Sequence, residues 1–394
     1  MLRIAPALQH YDWGSTDALP DLLNVPGGQP VAEAWFGAHA SAPSVVDGGA
    51  GLDALIAADP AAALGQDVVV RFGPQLPYLL KVIAAVQPLS LQVHPTRSRA
   101  AEGYAREDAA GVPVESAIRN YRDLNHKPEM AYALTRLEAM VGFRAPRRAA
   151  ELLVGLDSPL AAGLRERLVE RPDAHGMRAA FEWLMAPDTR PGADALAEFA
   201  VACASRVHAG SPSPRTDRTV IRLHALYPDD PGAVTSVLLN PVTLRPGEAL
   251  FIPAGAVHAY LEGTAVEIMA NSDNVLRAGL TSKHVDLPEL LDNLDSVAAP
   301  PIRIAPEHVF THTDVFYAPV DDFELSVTTL LRDSPTRVPG RGPRILLCLE
   351  GNVRVCDAQG VELELARGQS AFVPAGDGAL TASGDGTLIQ ADVP

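Results

Sequence analysis

The sequence is poor in cysteine, in long apolar segments and in positive charge. Its three cysteines, Cys203, Cys348 and Cys356, form no CxxC pair, which excludes a disulfide framework and a thiolate zinc site. No apolar run reaches the roughly 18 residues of a membrane helix, and the first residues carry no apolar signal segment. A formal net charge of −16 argues against nucleic acid or an anionic membrane as partner. We therefore expect a cytoplasmic protein whose metals, if any, are bound by His, Asp, Glu or amide groups.

The pattern of apolar residues changes twice along the 394 residues, a length that favours two or three domains. Short alternating segments, including 68–72, predict strands through residue 145, with a helix at 97–106. Residues 146–225 have Leu and Ala at helical spacing, and Ser158-Pro159 is typical of a helix start. Strand patterns return at 234–239. The sequence therefore predicts a mainly β fold with an inserted all-α domain.

An internal echo links the two β segments. Residues 245–255 are R-P-G-E-A-L-F-I-P-A-G, and residues 366–376 are A-R-G-Q-S-A-F-V-P-A-G. Glycine and proline at matching positions predict two related jelly-roll or β-barrel modules. Only the first copy continues to a histidine, so the second module is the degenerate one. We expect a catalytic domain at 1–145 plus 226–315, a helical domain at 146–225 and a C-terminal domain at 316–394.

Residues 89–95, L-S-L-Q-V-H-P, alternate apolar and polar side chains. A strand places alternate residues on opposite faces, so one face would carry Leu89, Leu91 and Val93 and the other Ser90, Gln92 and His94. A solvent-facing strand would explain the pattern equally well. A metal site at a cavity wall is the functional alternative, and it needs further ligands from elsewhere.

Two further segments supply suitable ligands. His258 follows the first copy of the echo, and Glu129 starts an apolar run after N-H-K-P. A carboxylate that points into a β interior is costly unless it is paired or binds a metal. With Gln92 and His94 these residues offer two imidazoles, one carboxylate and one amide oxygen, a set that suits Zn²⁺, with Mn²⁺, Co²⁺ or Fe²⁺ also possible.

Residues 266–281, V-E-I-M-A-N-S-D-N-V-L-R-A-G-L-T, contain further charged groups. Glu267 interrupts an apolar strand, Arg277 follows a polar turn, and Lys283 lies six residues beyond it. Arginine is a fork-shaped donor for oxyanions and phosphate. The alternative is a loop with two surface cations.

Together these segments, with Y-D-W-G near the start and A-E-A-W-F-G at 32–37, closely resemble the type I phosphomannose isomerases (mannose-6-phosphate isomerases), zinc enzymes of the cupin superfamily. The resemblance implies a bicupin with a degenerate second half and an inserted helical domain. It implies one Zn²⁺ per chain on Gln92, His94, Glu129 and His258, and Arg277 as an active-site residue. The sequence departs from the family pattern at Ala40 and Ser282, where proline is more usual.

The resemblance also implies the reaction, an interconversion of D-mannose 6-phosphate and D-fructose 6-phosphate through a cis-enediol, in carbohydrate metabolism that leads to GDP-mannose. Glu267 is the preferred general base because burial should raise its pKa, and His126 and Lys127 are the other candidates. Arg277 would stabilise developing negative charge. Residues expected to contact the sugar phosphate are Ser90, Lys127, Lys283, Trp13, Tyr260 and Glu33.

Other functions remain compatible with the sequence. A metal-dependent cupin oxygenase would use His and carboxylate ligands for Fe²⁺. A bicupin that binds sugar phosphate without turnover, or an isomerase of another aldose phosphate, would share most of the motifs. We expect a monomer with a small-molecule substrate.

Overall fold

Strands dominate the fold, and the helices fill the connections between them. The computed structural model describes residues 1–332 and 335–394. The strands are β1 Leu2–Ala5, β2 Ala7–Gln9, β3 Glu33–Phe36, β4 Val45–Val46, β5 Tyr78–Ala85, β6 Leu91–Val93, β7 Glu129–Ala133, β8 Leu137–Phe143, β9 Leu239–Leu244, β10 Ala249–Ile252, β11 His258–Ala270, β12 Leu276–Gly279, β13 Ile302–Ile304, β14 Glu307–Phe310, β15 Thr313–Tyr317, β16 Glu324–Leu330, β17 Thr336–Val338, β18 Arg344–Cys356, β19 Glu362–Ala366, β20 Ser370–Val373 and β21 Leu380–Asp392.

The α-helices concentrate in two parts of the chain. They are α1 Ala18–Leu23, α2 Leu52–Ala58, α3 Pro60–Leu64, α4 Gln66–Phe72, α5 Arg97–Ala109, α6 Pro146–Leu152, α7 Pro159–Glu170, α8 Ala174–Met185, α9 Ala193–Ala209, α10 Pro214–Leu226, α11 Gly232–Thr235 and α12 Leu287–Asn293. None of the helices in the described residues is both long enough and apolar enough to cross a membrane.

The first sheet is antiparallel and is organised around β11. Its main path runs β13-β10-β7-β11-β5-β3-β2, with β6, β8, β9 and β12 attached. The first residues of β11 pair with β6 and β8, and the residues from Gly263 onward pair with β5 and β7. A strand that changes partners in this way folds the sheet over itself. The enclosed apolar cluster includes Ile83, Val141 and Ile252.

The second sheet runs β14-β15-β16-β21-β18-β20-β1-β4. Its last two strands come from the beginning of the chain, because Leu2 pairs with Phe372 and Ile4 with Val46. One apolar cluster joins the two sheets and includes Phe36 and Ile268 from the first and Phe372 and Ile389 from the second. This shared core fixes the orientation of the two sheets relative to each other.

The internal echo forms the same turn in each half. The backbone amide of Glu248 donates to the carbonyl of Arg245 at 3.0 Å, and that of Gln369 donates to Ala366 at 2.9 Å. Gly247 and Gly368 both have positive φ, 89° and 82°, which glycine adopts without strain. The copies then lead into β10 and β20, one in each sheet.

Helices α6–α10 occupy the segment in which the spacing predicts helices. The Ser158 hydroxyl accepts a hydrogen bond from the amide of Ala161, and Pro159 is the first helical residue, as predicted. The apolar faces of these helices pack with Leu91, Val93 and Phe143 on the outer side of the first sheet. The domain boundaries themselves stay a prediction.

The predicted strand at 68–72 is wrong, because these residues form part of α4. Leu64 and Val68 are buried at a spacing of four residues, and Phe72 packs against the same cluster. Val68 and Phe72 lie on one face of α4, whereas Leu64 is the last residue of α3, before the break at Gly65. Contact with the core therefore outweighs the β preference of three consecutive valines.

The predicted strand at 234–239 is also wrong, apart from its last residue. The chain forms α11 and a short 3₁₀ turn, Ser236–Leu238, before β9 begins at Leu239. Val234, Val237 and Leu238 are buried at helical spacing. The Asp230 carboxylate accepts the amide hydrogen of Gly232, the first residue of α11, at 2.7 Å.

Asp392, the last residue of β21, makes stability depend on pH. Burial raises its pKa from 3.8 to about 7, so the folded chain binds a proton that the unfolded chain releases. The free energy of unfolding should therefore fall as the pH rises from about 4 to about 7. We expect Asp392→Asn to leave stability nearly unchanged at about pH 4 and to raise it by up to about 4 kcal/mol above pH 8, as measured by denaturant unfolding.

Asp385→Asn is the matched control, since Asp385 is an exposed carboxylate on the same strand, paired with Arg332. The control should change stability by no more than about 0.5 kcal/mol at either pH. An Asp392→Asn protein that is equally destabilised at both values would contradict this account of β21.

Candidate metal centre and active-site cavity

Three strands of the first sheet bring together His94, Glu129 and His258. His94 directly follows β6, while Glu129 begins β7 and His258 begins β11. All three are buried, and one ligand atom from each lies within 4.8 Å of the others. Residues separated by 164 positions in the chain therefore converge as predicted.

The backbone fixes the orientation of both imidazoles. The Nδ1 atom of His94 lies 2.8 Å from the carbonyl oxygen of Asn274, and that of His258 lies 3.0 Å from the carbonyl of Ala256. Each Nδ1 therefore donates its hydrogen, and the lone pair of each neutral ring lies on Nε2. This is the usual second contact of a metal-binding histidine.

The two lone pairs face the same carboxylate. His94 Nε2 is 3.1 Å from Glu129 Oε1, and His258 Nε2 is 3.2 Å from Oε2. His94 Nε2 is buried without a hydrogen bond. Acceptors that face each other at these distances need a shared cation, and the imidazole–carboxylate set suits Zn²⁺. These residues therefore fit a bound metal.

The protonation states of His94 and Glu129 also agree with a bound metal. Burial and the neighbouring Lys127 lower the pKa of His94 to about 4, so its ring is neutral at ordinary pH. Burial alone would raise the pKa of Glu129, but the positive charge of the neighbouring Lys127 helps to hold it well below its ordinary value. The Lys127 ammonium is 3.3 Å from Glu129 Oε1. The carboxylate is therefore ionised and available to a cation.

Gln92 lies beside this group. It pairs with His258 in the β6–β11 register, and its amide nitrogen donates to the Ser90 hydroxyl at 3.3 Å. That contact leaves the amide oxygen as the ligand atom that Gln92 would offer. Leu91 and Val93 pack on the opposite face against the helices, as the alternation predicts. Leu89 is an exception, because it precedes the strand and lies on the cavity side.

A cavity of about 590 Å³, the outer cavity, leads to this centre. Predicted site residues in its lining are Trp13, Glu33, Ser90, Gln92, Lys127, Arg277 and Lys283. A recess of about 50 Å³, the inner recess, shares several of these residues and also contains predicted residues Glu129, His258, Tyr260 and Glu267. All but two of the predicted residues thus line one continuous space.

The two exceptions are His94 and His126. His94 belongs to the metal group described above. His126 is not among the cavity residues, and its Nε2 lies 3.0 Å from both carboxylate oxygens of Asp322. Its ring therefore faces the second half of the chain, a geometry that argues against His126 as the general base.

Sequence reasoning missed Lys81, a buried residue in the middle of β5. Its ammonium is 3.3 Å from Glu267 Oε2 and 3.6 Å from Glu33 Oε2. Burial lowers the pKa of Lys81, but the two carboxylates outweigh it and raise the pKa overall. A single lysine within P-Y-L-L-K-V-I was the available signal, because an apolar strand tolerates a cation only with partners.

Glu267 lies beside Lys81 in the inner recess. Burial and the charge of Glu129 raise the pKa of Glu267, although Lys81 acts in the opposite direction. Glu267 is therefore a carboxylate with increased proton affinity in a recess next to the metal group. That is the environment expected of a general base.

Sequence reasoning also missed Arg122, another cation in the lining of the outer cavity. Burial lowers the pKa of Arg277, and Arg122 adds to the effect. The pKa of Lys283 is lowered by burial and by both arginines. No salt bridge from these three residues reaches a carboxylate within the described part of the chain. They make a positive region in a chain of net charge −16.

Asn274 ties several site segments together, and it too was missed. Its side-chain oxygen accepts from the amides of Arg122 and Asp123, at 2.7 and 3.2 Å. Its side-chain nitrogen donates to the carbonyl oxygen of Asn125 at 2.8 Å. Since its own carbonyl orients His94, one buried residue connects the cationic region with the metal group. The polar N-S-D-N turn carried the signal, but its partners are remote in sequence.

Comparison with known proteins gives a consistent picture. The family model "Phosphomannose isomerase type I, catalytic domain" matches residues 1–146. Mannose-6-phosphate isomerase of Escherichia coli (strain K12) is 40% identical, with 95% of each chain covered. Mannose-6-phosphate isomerase 1 of Arabidopsis thaliana is 32% identical over 95% of this chain and 89% of its own length.

Solved structures agree with the sequence relatives. The apo form of mannose 6-phosphate isomerase from Salmonella typhimurium superposes with a TM-score of 0.88 at 37% identity, covering 99% of this chain and 98% of the other. A zinc-bound mannose 6-phosphate isomerase has the same TM-score, identity and coverage. With the geometry above, these similarities show that the chain belongs to the type I phosphomannose isomerase family.

Proposed function

We propose that this protein is a zinc-dependent aldose–ketose isomerase that interconverts D-mannose 6-phosphate and D-fructose 6-phosphate. The observation that carries the proposal is the group of His94, Glu129 and His258, whose lone pairs and carboxylate converge beside a cavity with a cationic wall. A phosphorylated sugar with vicinal oxygens at C1 and C2 suits both features. Gln92 would be the fourth ligand, and a bound Zn²⁺ would act as a Lewis acid toward those oxygens.

The reaction requires one proton to move between two carbons. In the open-chain aldose, a base removes the proton on C2 while O1 gains one, which gives a cis-enediol. The same proton is then delivered to C1 as O2 loses its own, which gives the ketose. Glu267 is our choice for the base, because its pKa is raised toward the working pH and it lies in the inner recess. Lys81 at 3.3 Å would orient this carboxylate.

Arg277 would stabilise the negative charge that develops on the enediol oxygens. It is opposite Gln92 in the β6–β12 register, and opposite residues of an antiparallel pair point to the same face. Its guanidinium is a cation at any working pH and cannot act as a simple base. Arg122 and Lys283, on the same cavity wall, would bind the phosphate. Trp13 stacks on Tyr11 at 5.7 Å and would wall the sugar site.

Removal of the metal tests the first part of the proposal. Dialysis against a chelator should abolish isomerase activity in a coupled assay, and added Zn²⁺ should restore it, because the site would lose and then regain its Lewis acid. Metal content is to be measured on the same samples. Full activity in verified metal-free protein would contradict the zinc assignment.

Replacement of the base tests the second part. Glu267→Gln keeps the shape of the side chain but removes its ability to accept a proton, so kcat should fall by about 10²- to 10⁴-fold with zinc content retained. Glu262→Gln is the matched control, since Glu262 is an exposed carboxylate of the same strand, paired with Arg222. A Glu267→Gln enzyme within threefold of the parent kcat would exclude this residue as the base.

Substitutions of Arg277 and of Lys283 should change different kinetic parameters. Arg277→Ala should lower kcat by about 10²- to 10³-fold at unchanged zinc content, because a charge stabiliser acts mainly in the transition state. Lys283→Ala should chiefly raise KM and the inhibition constant of inorganic phosphate. Loss of zinc or of folding in Arg277→Ala would show that the role assigned to it is wrong.

A further inference from the structure

One carboxylate of the second half of the chain reaches the ligand-bearing segments of the first. Asp322 lies between β15 and β16 and is buried, with a side chain 7% exposed. Its Oδ1 atom accepts from Arg97 Nη2 at 3.1 Å, and His126 Nε2 lies 3.0 Å from both of its oxygens. Arg97 and His126 therefore share a partner in the loop between β15 and β16, and Arg97 Nη2 also lies 3.1 Å from His126 Nε2.

The positions of the two partners in the chain are informative. Arg97 comes three residues after His94, at the first turn of α5. His126 comes three residues before Glu129, the first residue of β7. Asp322 thus contacts the segment that follows His94 and the segment that precedes Glu129. Each contact lies three residues from a buried side chain of the metal group.

The segment before β7 has special need of such a contact. Residues 112–128 contain no helix or strand, so turn hydrogen bonds and side-chain contacts hold them in place. Asn274 binds their middle portion through Arg122, Asp123 and Asn125. Asp322 binds the last part, at His126, directly before Lys127 and close to Glu129. A displacement there would move a ligand and the lysine 3.3 Å from it together.

We propose that Asp322 is a positioning residue of the metal site, through which the second half of the chain sets metal affinity and the placement of Glu129 and Lys127. The inference rests on the proposed function for its kinetic part, and on the His94–Glu129–His258 group alone for its metal part. It gives the second half of the chain an indirect role in the site, although none of its described residues belongs to the metal group. Asp322 itself is not a catalytic residue, because it reaches the site only through Arg97 and His126.

The test compares Asp322→Asn with Asp321→Asn. Asp321 is the adjacent, exposed residue of the same loop. Its backbone carbonyl accepts a hydrogen bond from Arg71, and a change of its side chain leaves that carbonyl in place. Zinc dissociation constants are measured by competition with a chromogenic chelator, and kcat and KM at saturating zinc. We expect Asp322→Asn to raise the zinc dissociation constant about 10-fold and to lower kcat about 10-fold, with KM within about twofold. Asp321→Asn should match the parent.

A purely structural role predicts a different result. Asp322→Asn would then lower the melting temperature while its zinc affinity and kcat stayed within about twofold of the parent, and that outcome would overturn the proposal. If Asp322→Asn does not fold, Arg97→Gln and His126→Gln decide the question, since each removes one partner. Each should weaken zinc binding by about threefold, and parent-like binding in both would overturn the proposal.

These experiments distinguish failure of the Asp322 proposal from failure of the proposed isomerase function. A parent protein that binds zinc but does not isomerise mannose 6-phosphate would overturn the proposed function, and the metal-binding comparison would still judge Asp322. A further check is the double variant Asp322→Asn with His126→Gln. If both residues act through one contact, the double variant should bind zinc as weakly as the weaker-binding single variant. If they act independently, the two fold-changes in the zinc dissociation constant would multiply, which would contradict a shared contact.

Discussion

The central constraint is the meeting of three electron-pair donors in a buried space. Two imidazole nitrogens and a carboxylate approach one another at 3.1 and 3.2 Å, and their backbone partners prevent the rings from turning away. Such a group is unfavourable by itself, because buried acceptors need positive partners. The fold tolerates it where a divalent cation fits. The long β11 strand and the polar contacts of Asn274 serve this arrangement, since they bring remote segments to one point.

Charge is distributed unevenly around that point. The chain as a whole is strongly acidic, whereas three cations without carboxylate partners in the described residues lie on the wall of the outer cavity. Deeper in the site, Lys81 is shared between Glu33 and Glu267. An anionic substrate would therefore meet positive charge in the outer cavity, and the carboxylate with raised pKa lies further inside. In the proposed reaction, this separation would let one small site bind an anion and move a proton.

The sequence predicted best where local pattern and chemistry coincide. Alternation at residues 89–95 correctly predicted the packed face of Leu91 and Val93 and the cavity face of Gln92, and the repeated turns located two related strands, because both signals depend on near neighbours in the chain. It failed where distant contacts decide the outcome. Three valines became helical because Leu64, Val68 and Phe72 meet the core together, and His126 turned toward Asp322 in the other half. Lys81 and Arg122 were missed because their partners come from separate segments.

The pairing of β1 with β20 ties the first strand of the chain to one of the last. Leu2 pairs with Phe372, so a ribosome must synthesise nearly the whole chain before the first strand can join its sheet. Contacts of such separation slow folding, because a very long loop must close before they form. Until then β1 and β4 expose unpaired edges to other nascent chains. The same pairing leaves the second sheet incomplete until the beginning of the chain supplies its last two strands.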